Sequence, residues 1–163
     1  MSATSKFRQE LQASLVAKGF ECDKRDAPRC ICFRREVGDV MQLLALNWEK
    51  SGKPRFVALF GVASAGGVKY HGSIVEAKNL LIEHSSILGF LAPKSHTTTR
   101  GWFRLDRPLI SRILFRPKYY SEQEVIAEFL KLFEEIEIYW ANGILGKHMN
   151  IPSIERKWVE NAV

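Results

Sequence analysis

The chain has 163 residues, of which 46% are hydrophobic and 26% charged, and it carries a formal net charge of +6. Such a chain can bury a core without disulfide or metal staples and reads as one globular domain, residues 1–163. It lacks the roughly eighteen-residue apolar run of a membrane-spanning helix, and its polar start, MSATSKFRQELQASL, lacks the apolar stretch of an export signal, so the expected setting is cytoplasmic with no membrane partner.

The first element is a helix. Phe7, Leu11 and Leu15 recur at i, i+4 and i+8, Thr4 or Ser5 stands ready as its cap, and Lys18-Gly19 ends it with Phe20 folding back on Leu15. Three strands follow, joined by connections too short for crossovers, which predicts an antiparallel meander. CICFRREV (30–37) places Ile31 and Phe33 on one face, and Val37-Gly38-Asp39 is a turn. VMQLLALNWE (40–49) sets Val40, Leu44, Leu46 and Trp48 on one side and Met41, Leu43 and Ala45 on the other, so it is expected to be covered on both faces. After the loop KSGKP (50–54), RFVALFGVA (55–63) keeps Phe56, Ala58, Phe60 and Val62 in register.

Cys30 and Cys32 share one face of the first of these strands. With Cys22 they make an odd set in a chain without an export signal, and they read as structural thiols. A disulfide between near neighbours on one strand would be strained, and no pair has the spacing of a zinc knuckle or ribbon, so no metal and no cofactor is expected.

After Ser64-Ala65-Gly66-Gly67 the pattern weakens. IVEAKNLLI (74–82) has helical composition but fits equally well a strand followed by an irregular loop. KSHTTT (94–99) is loop-like, TRGWFRL (99–105) reads as a strand ended by Asp106-Arg107-Pro108, and residues 109–116 form a further strand or a turn of helix. The strongest signal comes last. Ser121 and Glu124 form a capping box, Tyr120 and Val125 a hydrophobic staple, and Val125, Phe129, Leu132, Phe133, Ile136 and Trp140 one apolar stripe, with Asn142-Gly143 as the stop. Residues 144–163 read as a C-terminal extension or a short helix around Ser153 to Glu160. This order predicts an α+β fold: an antiparallel sheet of about four or more strands with helices packed on one face.

Charge is unevenly spread. Residues 94–118 hold seven Lys/Arg and one Asp/Glu, whereas residues 119–163 hold four and eight. A basic ribbon, RGWFRLDRPLISRILFRPK (100–118), is therefore followed at once by an acidic segment. Read as a strand, the ribbon sends Phe103 and Leu105 to the core and leaves Arg100, Trp102 and Arg104 as an exposed guanidinium–indole strip, of the residue types favoured at binding hot spots and in stacking on single-stranded nucleic acid. The competing reading pairs these arginines with the carboxylates of the final helix, where Glu122, Glu124, Glu128, Glu134, Glu135 and Glu137 face one Lys131. Residues 94–137 hold eight basic and seven acidic side chains, a local net of only +1, which suits a charge-patterned protein partner better than a phosphate backbone.

The order of these signals resembles a bacterial domain-of-unknown-function family of small α+β proteins. The matching features are the helix ending in Gly19-Phe20, the Phe33-Arg34 strand, LALNWEKS (44–51), FVALFGV (56–62), TTRGWFRL (98–105) and the helix from Ser121, over residues 5–140. Asn47-Trp48-Glu49 departs from the family's more usual Gln, and residues 64–96 have no counterpart. The resemblance implies no catalytic residues. Small cytoplasmic proteins of this look often turn out to be cognate inhibitors of bacterial toxins, which is an association rather than a property of these residues.

Catalytic motifs are sparse. His84-Ser85-Ser86 sets a base beside hydroxyls, but sequence neighbours do not make a triad, and GVASAGG (61–67) lacks both the Lys-Ser/Thr of a P-loop and the GxGxxG order. The expected function is non-enzymatic protein binding, as an immunity-type inhibitor covering the active surface of a toxin domain. Trp48, Arg100, Trp102, Arg104, Arg107, Glu128 and Glu135 are its expected partner contacts. The alternative is an RNA- or single-stranded-DNA-binding module using the ribbon; a second is a small enzyme with a dispersed site.

Overall fold

A computed structural model describes residues 3–24, 29–51, 53–96, 100–106, 120–152 and 159–161. In chain order the elements are α1 (Ala3–Ala17), β1 (Glu21–Asp23), β2 (Cys30–Val37), β3 (Val40–Trp48), β4 (Arg55–Ser64), β5 (Val68–Tyr70), β6 (Ser73–Val75), β7 (Ile87–Leu91), β8 (Phe103–Arg104), α2 (Glu122–Asn142), β9 (Met149–Asn150) and β10 (Val159–Asn161).

The meander β2-β3-β4 is the spine. Its tight link is the two-residue hairpin turn Gly38-Asp39 between the paired Val37 and Val40, with Gly38 at φ 59°, where a first central glycine is preferred. The sheet is antiparallel throughout, in the order β1-β2-β3-β4-β7-β9, and β8 pairs with β4 beyond the end of β7. A small second sheet has the order β10-β5-β6. Fold class is therefore α+β, with a seven-stranded sheet that does not close into a barrel.

Register decides the core. The opposed pairs Ile31–Leu46, Phe33–Leu44, Leu44–Phe60, Leu46–Ala58 and Trp48–Phe56 stack every alternate side chain on one face. Both helices cover that face: Phe7, Leu11 and Leu15 from α1, and Val125, Phe129, Leu132, Phe133 and Ile136 from α2, all join the same buried cluster. The opposite face of the sheet is covered by the 64–88 stretch, whose Val68 and Leu80 pack on Met41, Leu43 and Ala63. β3 is thus buried on both sides, which accounts for its unbroken apolar run.

The helix ends follow local rules. At the end of α1, the Gly19 N–H donates to Val16 O (2.9 Å) and the Phe20 N–H to Leu15 O (3.3 Å), with Gly19 at φ 86°, a full Schellman stop. Ahead of α2 the Ser121 N–H donates to Glu124 Oε2 (3.2 Å), and Gly143 closes the helix at φ 76°.

Several expectations are corrected or narrowed. α1 begins at Ala3, ahead of the cap expected at Thr4 or Ser5. Of the two readings of residues 74–82, the strand followed by an irregular segment is the one found: β6 is followed by single 3-10 turns at Ala77–Asn79 and Ile82–His84, and no α-helix forms there. Of the strand read over 99–105, only Phe103–Arg104 pairs, with Phe56 and Arg55, among the described residues, and Gly101 packs so close to Ala92 and Pro93 that a Cβ would stand 2.8 Å from Ala92 Cβ. In the described part of the tail β9 adds to the edge of β7 and β10 pairs with β5; most of the segment read as a short helix, around Ser153 to Glu160, lies outside the described residues. Residues 109–116 and 153–158 lie outside the described residues. Among the described residues no helix is long and apolar enough to cross a membrane.

Candidate interaction cleft

Phe103 is fixed in the core, stacked on Phe56 at 5.2 Å and edge-on to Phe129 at 5.3 Å. Strand alternation then turns its neighbours Trp102 and Arg104 away from the core. They face the N-terminal half of α2 across a cleft of about 770 Å³. One wall carries Lys94, Trp102 and Arg104; the other carries Tyr120, Glu124 and Glu128. Glu124 and Glu128 share this wall because they are one helical turn apart.

Trp102 is 36% exposed, a large indole at the mouth of the cleft. The Arg55 guanidinium sits 4.8 Å from its ring centroid, a cation–π contact on a residue one strand away. Arg55 is held in turn by Glu49, with Nε donating to Oε2 at 2.9 Å. Hydrogen bonds from Arg55 and then Ser51 hold the Glu49 carboxyl below its usual range. The ring therefore rests on a charged support.

Arg104 is engaged within the ribbon and not by the helix. Its Nε donates to the Asp106 carbonyl oxygen at 2.8 Å and a terminal nitrogen donates to the Asp106 carboxylate at 2.7 Å. Asp106 is only 4% exposed, so this arginine serves first as the counter-charge of a buried carboxylate. Arg104→Ala is expected to lower stability by about 1–3 kcal/mol in urea denaturation, against less than about 0.5 kcal/mol for Arg100→Ala. Equal midpoints for the two variants would contradict this assignment.

The helix carboxylates are divided among different tasks. Glu137 turns to the other flank, to Arg35 at 3.1 Å and Lys18 at 3.5 Å. Glu135 clamps His148: one oxygen meets Nδ1 at 2.6 Å and the other accepts the His148 backbone N–H at 2.9 Å. Among the described residues no hydroxyl or thiol is hydrogen-bonded to that histidine, and the pair reads as a fastening between α2 and β9. Glu128 is exposed and, with Lys94 and Arg100, makes no ion pair among the described residues.

The expected contact residues accordingly separate. Trp102 and Glu128 meet in the cleft, and Arg100 is exposed beside it. Arg104 lines the cleft but is bound to Asp106. Glu135 is occupied by His148 and stands outside the cleft lining. Trp48 is corrected outright: it is 4% exposed, packed on Phe56 at 5.0 Å and edge-on to Phe7 at 5.6 Å, because it points to the same face as Leu44 and Leu46. Arg107 lies outside the described residues. The ribbon and the acidic helix are thus not separate faces; where both are described, they are opposite walls of one cleft. Sequence reading missed Lys94 and Arg55. Lys94 sits in a polar loop, Arg55 at a strand start, and only the β4–β8 pairing brings Arg55 to Trp102.

Of the other motifs, His84 Nδ1 accepts the Leu81 N–H at 2.8 Å, while Ser85 Oγ donates to Ile82 O at 2.7 Å and Ser86 Oγ to Val62 O at 3.1 Å, so both hydroxyls donate to backbone carbonyls. Comparison with protein-family models, curated proteins and solved structures finds no match.

Proposed function

We propose that this chain is a non-enzymatic cytoplasmic protein-binding protein that docks a partner at the cleft between β8 and α2, in the manner of an immunity-type inhibitor covering the active surface of a toxin. The observation that carries the reading is what internal pairing leaves over. Among the described residues, Lys94 on one wall, Glu128 on the other and the exposed Arg100 next to the lining residue Gly101 make no ion pair, and they frame the half-exposed Trp102 and Tyr120. Opposite charges framing an aromatic anchor suit a partner surface with its own charge pattern, where aromatic residues supply the binding energy and charges fix register and encounter rate. The inhibitor aspect rests on the family resemblance and on nothing chemical in the cleft.

A nucleic-acid role is less well supported by the same geometry. Among the described cleft residues, Lys94 and Arg104 face Glu124 and Glu128, and Arg104 is already paired with Asp106, so these side chains offer little net positive charge to a phosphate.

The test is twofold. The chain is expected to form a nuclease-resistant complex with one host protein, and its co-expression should relieve the growth arrest caused by that protein alone. Labelled single-stranded RNA and DNA should show no binding at physiological salt. Tight RNA binding that falls steeply as salt rises, with no protein partner, would overturn the proposal.

A further inference from the structure

On one flank of α2 the chain clamps an arginine of its own. The Arg35 guanidinium lies 4.4 Å from the Phe20 ring centroid and 5.9 Å from that of Trp140, and a terminal nitrogen meets Glu137 at 3.1 Å. A planar cation is thus held against aromatic rings and oriented by a helix carboxylate. A guanidinium fits that arrangement better than a compact, strongly hydrated ammonium.

The cleft between α2 and β8 holds the same kinds of group without the cation. Trp102 and Tyr120 supply the rings, and the exposed Glu124 and Glu128 supply the carboxylates. Neither nearby arginine fills the place. Arg104 is bonded to Asp106 at 2.7 Å. Arg55, 4.8 Å from the Trp102 ring centroid, is held by Glu49 at 2.9 Å and does not line the cleft. Among the described residues Glu128 makes no ion pair, and the Glu124 carboxylate accepts only the Ser121 N–H, at 3.2 Å. Ala92, Pro93 and Val125 add an apolar lining of the kind that covers the methylene stem of a long charged side chain. Charge favours the same occupant. Lys94 and Arg104 stand against Glu124, Glu128 and the buried Asp106, two positive charges against three negative, although the whole chain is +6. Arg100 is exposed and lies outside the lining.

We infer that the cleft takes an arginine side chain of the docked protein, its guanidinium stacked on Trp102 and oriented by Glu124 and Glu128. This rests on the docking reading given above and names the group that the partner inserts. Stacking on the indole holds the side chain, and the exposed carboxylates steer it and fix its direction. Arginine is also among the residues that most often dominate the binding energy of an interface.

The probe is the tripeptide acetyl-Gly-Arg-Gly-amide, titrated into the full chain at low ionic strength while indole and backbone amide resonances are followed by NMR. Saturable shifts are expected at the Trp102 indole N–H and across residues 92–94 and 124–128. The corresponding lysine peptide should bind at least about threefold more weakly, and the glutamate peptide should give no saturable shift at these positions. Trp102→Ala should weaken the arginine peptide about fivefold and Glu128→Gln about threefold. Glu134→Gln, at an exposed carboxylate of α2 outside the cleft lining, should leave it unchanged. No saturation with the arginine peptide, equal binding of the arginine and glutamate peptides, or unchanged affinity in both cleft variants would overturn the inference. Its failure differs from failure of the docking reading. A protein partner that protects the cleft from hydrogen exchange, with no arginine-peptide binding there, refutes the arginine anchor alone. Peptide binding beside a partner that leaves the cleft unprotected refutes the docking reading and keeps the guanidinium site.

Discussion

Phe56→Ala is expected to lower stability by about 3–5 kcal/mol, and the melting temperature by roughly 10 °C for a chain of this size. Phe56 is completely buried, and its ring meets Trp48 at 5.0 Å, Phe103 at 5.2 Å, Phe129 at 5.5 Å and Phe7 at 6.1 Å. Those four rings belong to β3, β8, α2 and α1, so one side chain joins the meander, the cleft strand and both helices. Neighbours drawn from four elements cannot collapse together into the vacated space, which places the cost toward the upper end of the range. Ile138→Ala, at a residue 49% exposed, should change stability by less than about 0.5 kcal/mol. The check is a pair of urea curves. A Phe56→Ala midpoint within error of the Ile138→Ala midpoint would mean that the aromatic cluster is not the keystone described.

Trp102→Ala is expected to weaken partner binding by about 2 kcal/mol, roughly 30-fold, while changing stability by no more than about 1 kcal/mol. The two effects separate because the indole is 36% exposed and its main intramolecular contact is the Arg55 guanidinium, which keeps Glu49 as partner when the ring is gone. Glu128→Lys should act differently. Reversing an exposed carboxylate alters mainly the association rate and its salt dependence, and about tenfold slower binding at low ionic strength is expected. Surface plasmon resonance resolves the two: Trp102→Ala should raise the dissociation rate and Glu128→Lys lower the association rate. Partner kinetics unchanged by both substitutions would remove the cleft from the interface.

The core was legible in the sequence wherever pattern and period agreed. Ile31, Phe33, Leu44, Leu46, Phe56 and Phe60 alternate along strands joined by short connections, so one face and the antiparallel order follow from the residues themselves. α2 was equally plain, since its cap, stripe and stop all fall on local signals. What escaped was non-local. β9 and β10 are two and three residues long, and they exist only because distant β7 and β5 offer them edges. Trp48 belonged by strand period to the Leu44–Leu46 face, and what makes it core and not contact is that Phe7 and Phe56, from elsewhere in the chain, pack on it. The cleft was half legible. The alternation around Phe103 placed Trp102 outside the core, but charge counting could not tell that Arg104 would turn back to Asp106, two residues on, rather than reach α2. Nor could it tell that Glu135 would be taken by His148 from the tail.

The central claim, that a protein partner seats between β8 and the start of α2, is tested most directly by amide hydrogen exchange of the chain alone and in complex. Slowed exchange on binding is expected across residues 92–94, 100–105 and 120–128, with β5 and β6 on the far face unchanged. Protection confined to β5 and β6, with exchange around Trp102 and Glu128 the same in both states, would contradict it.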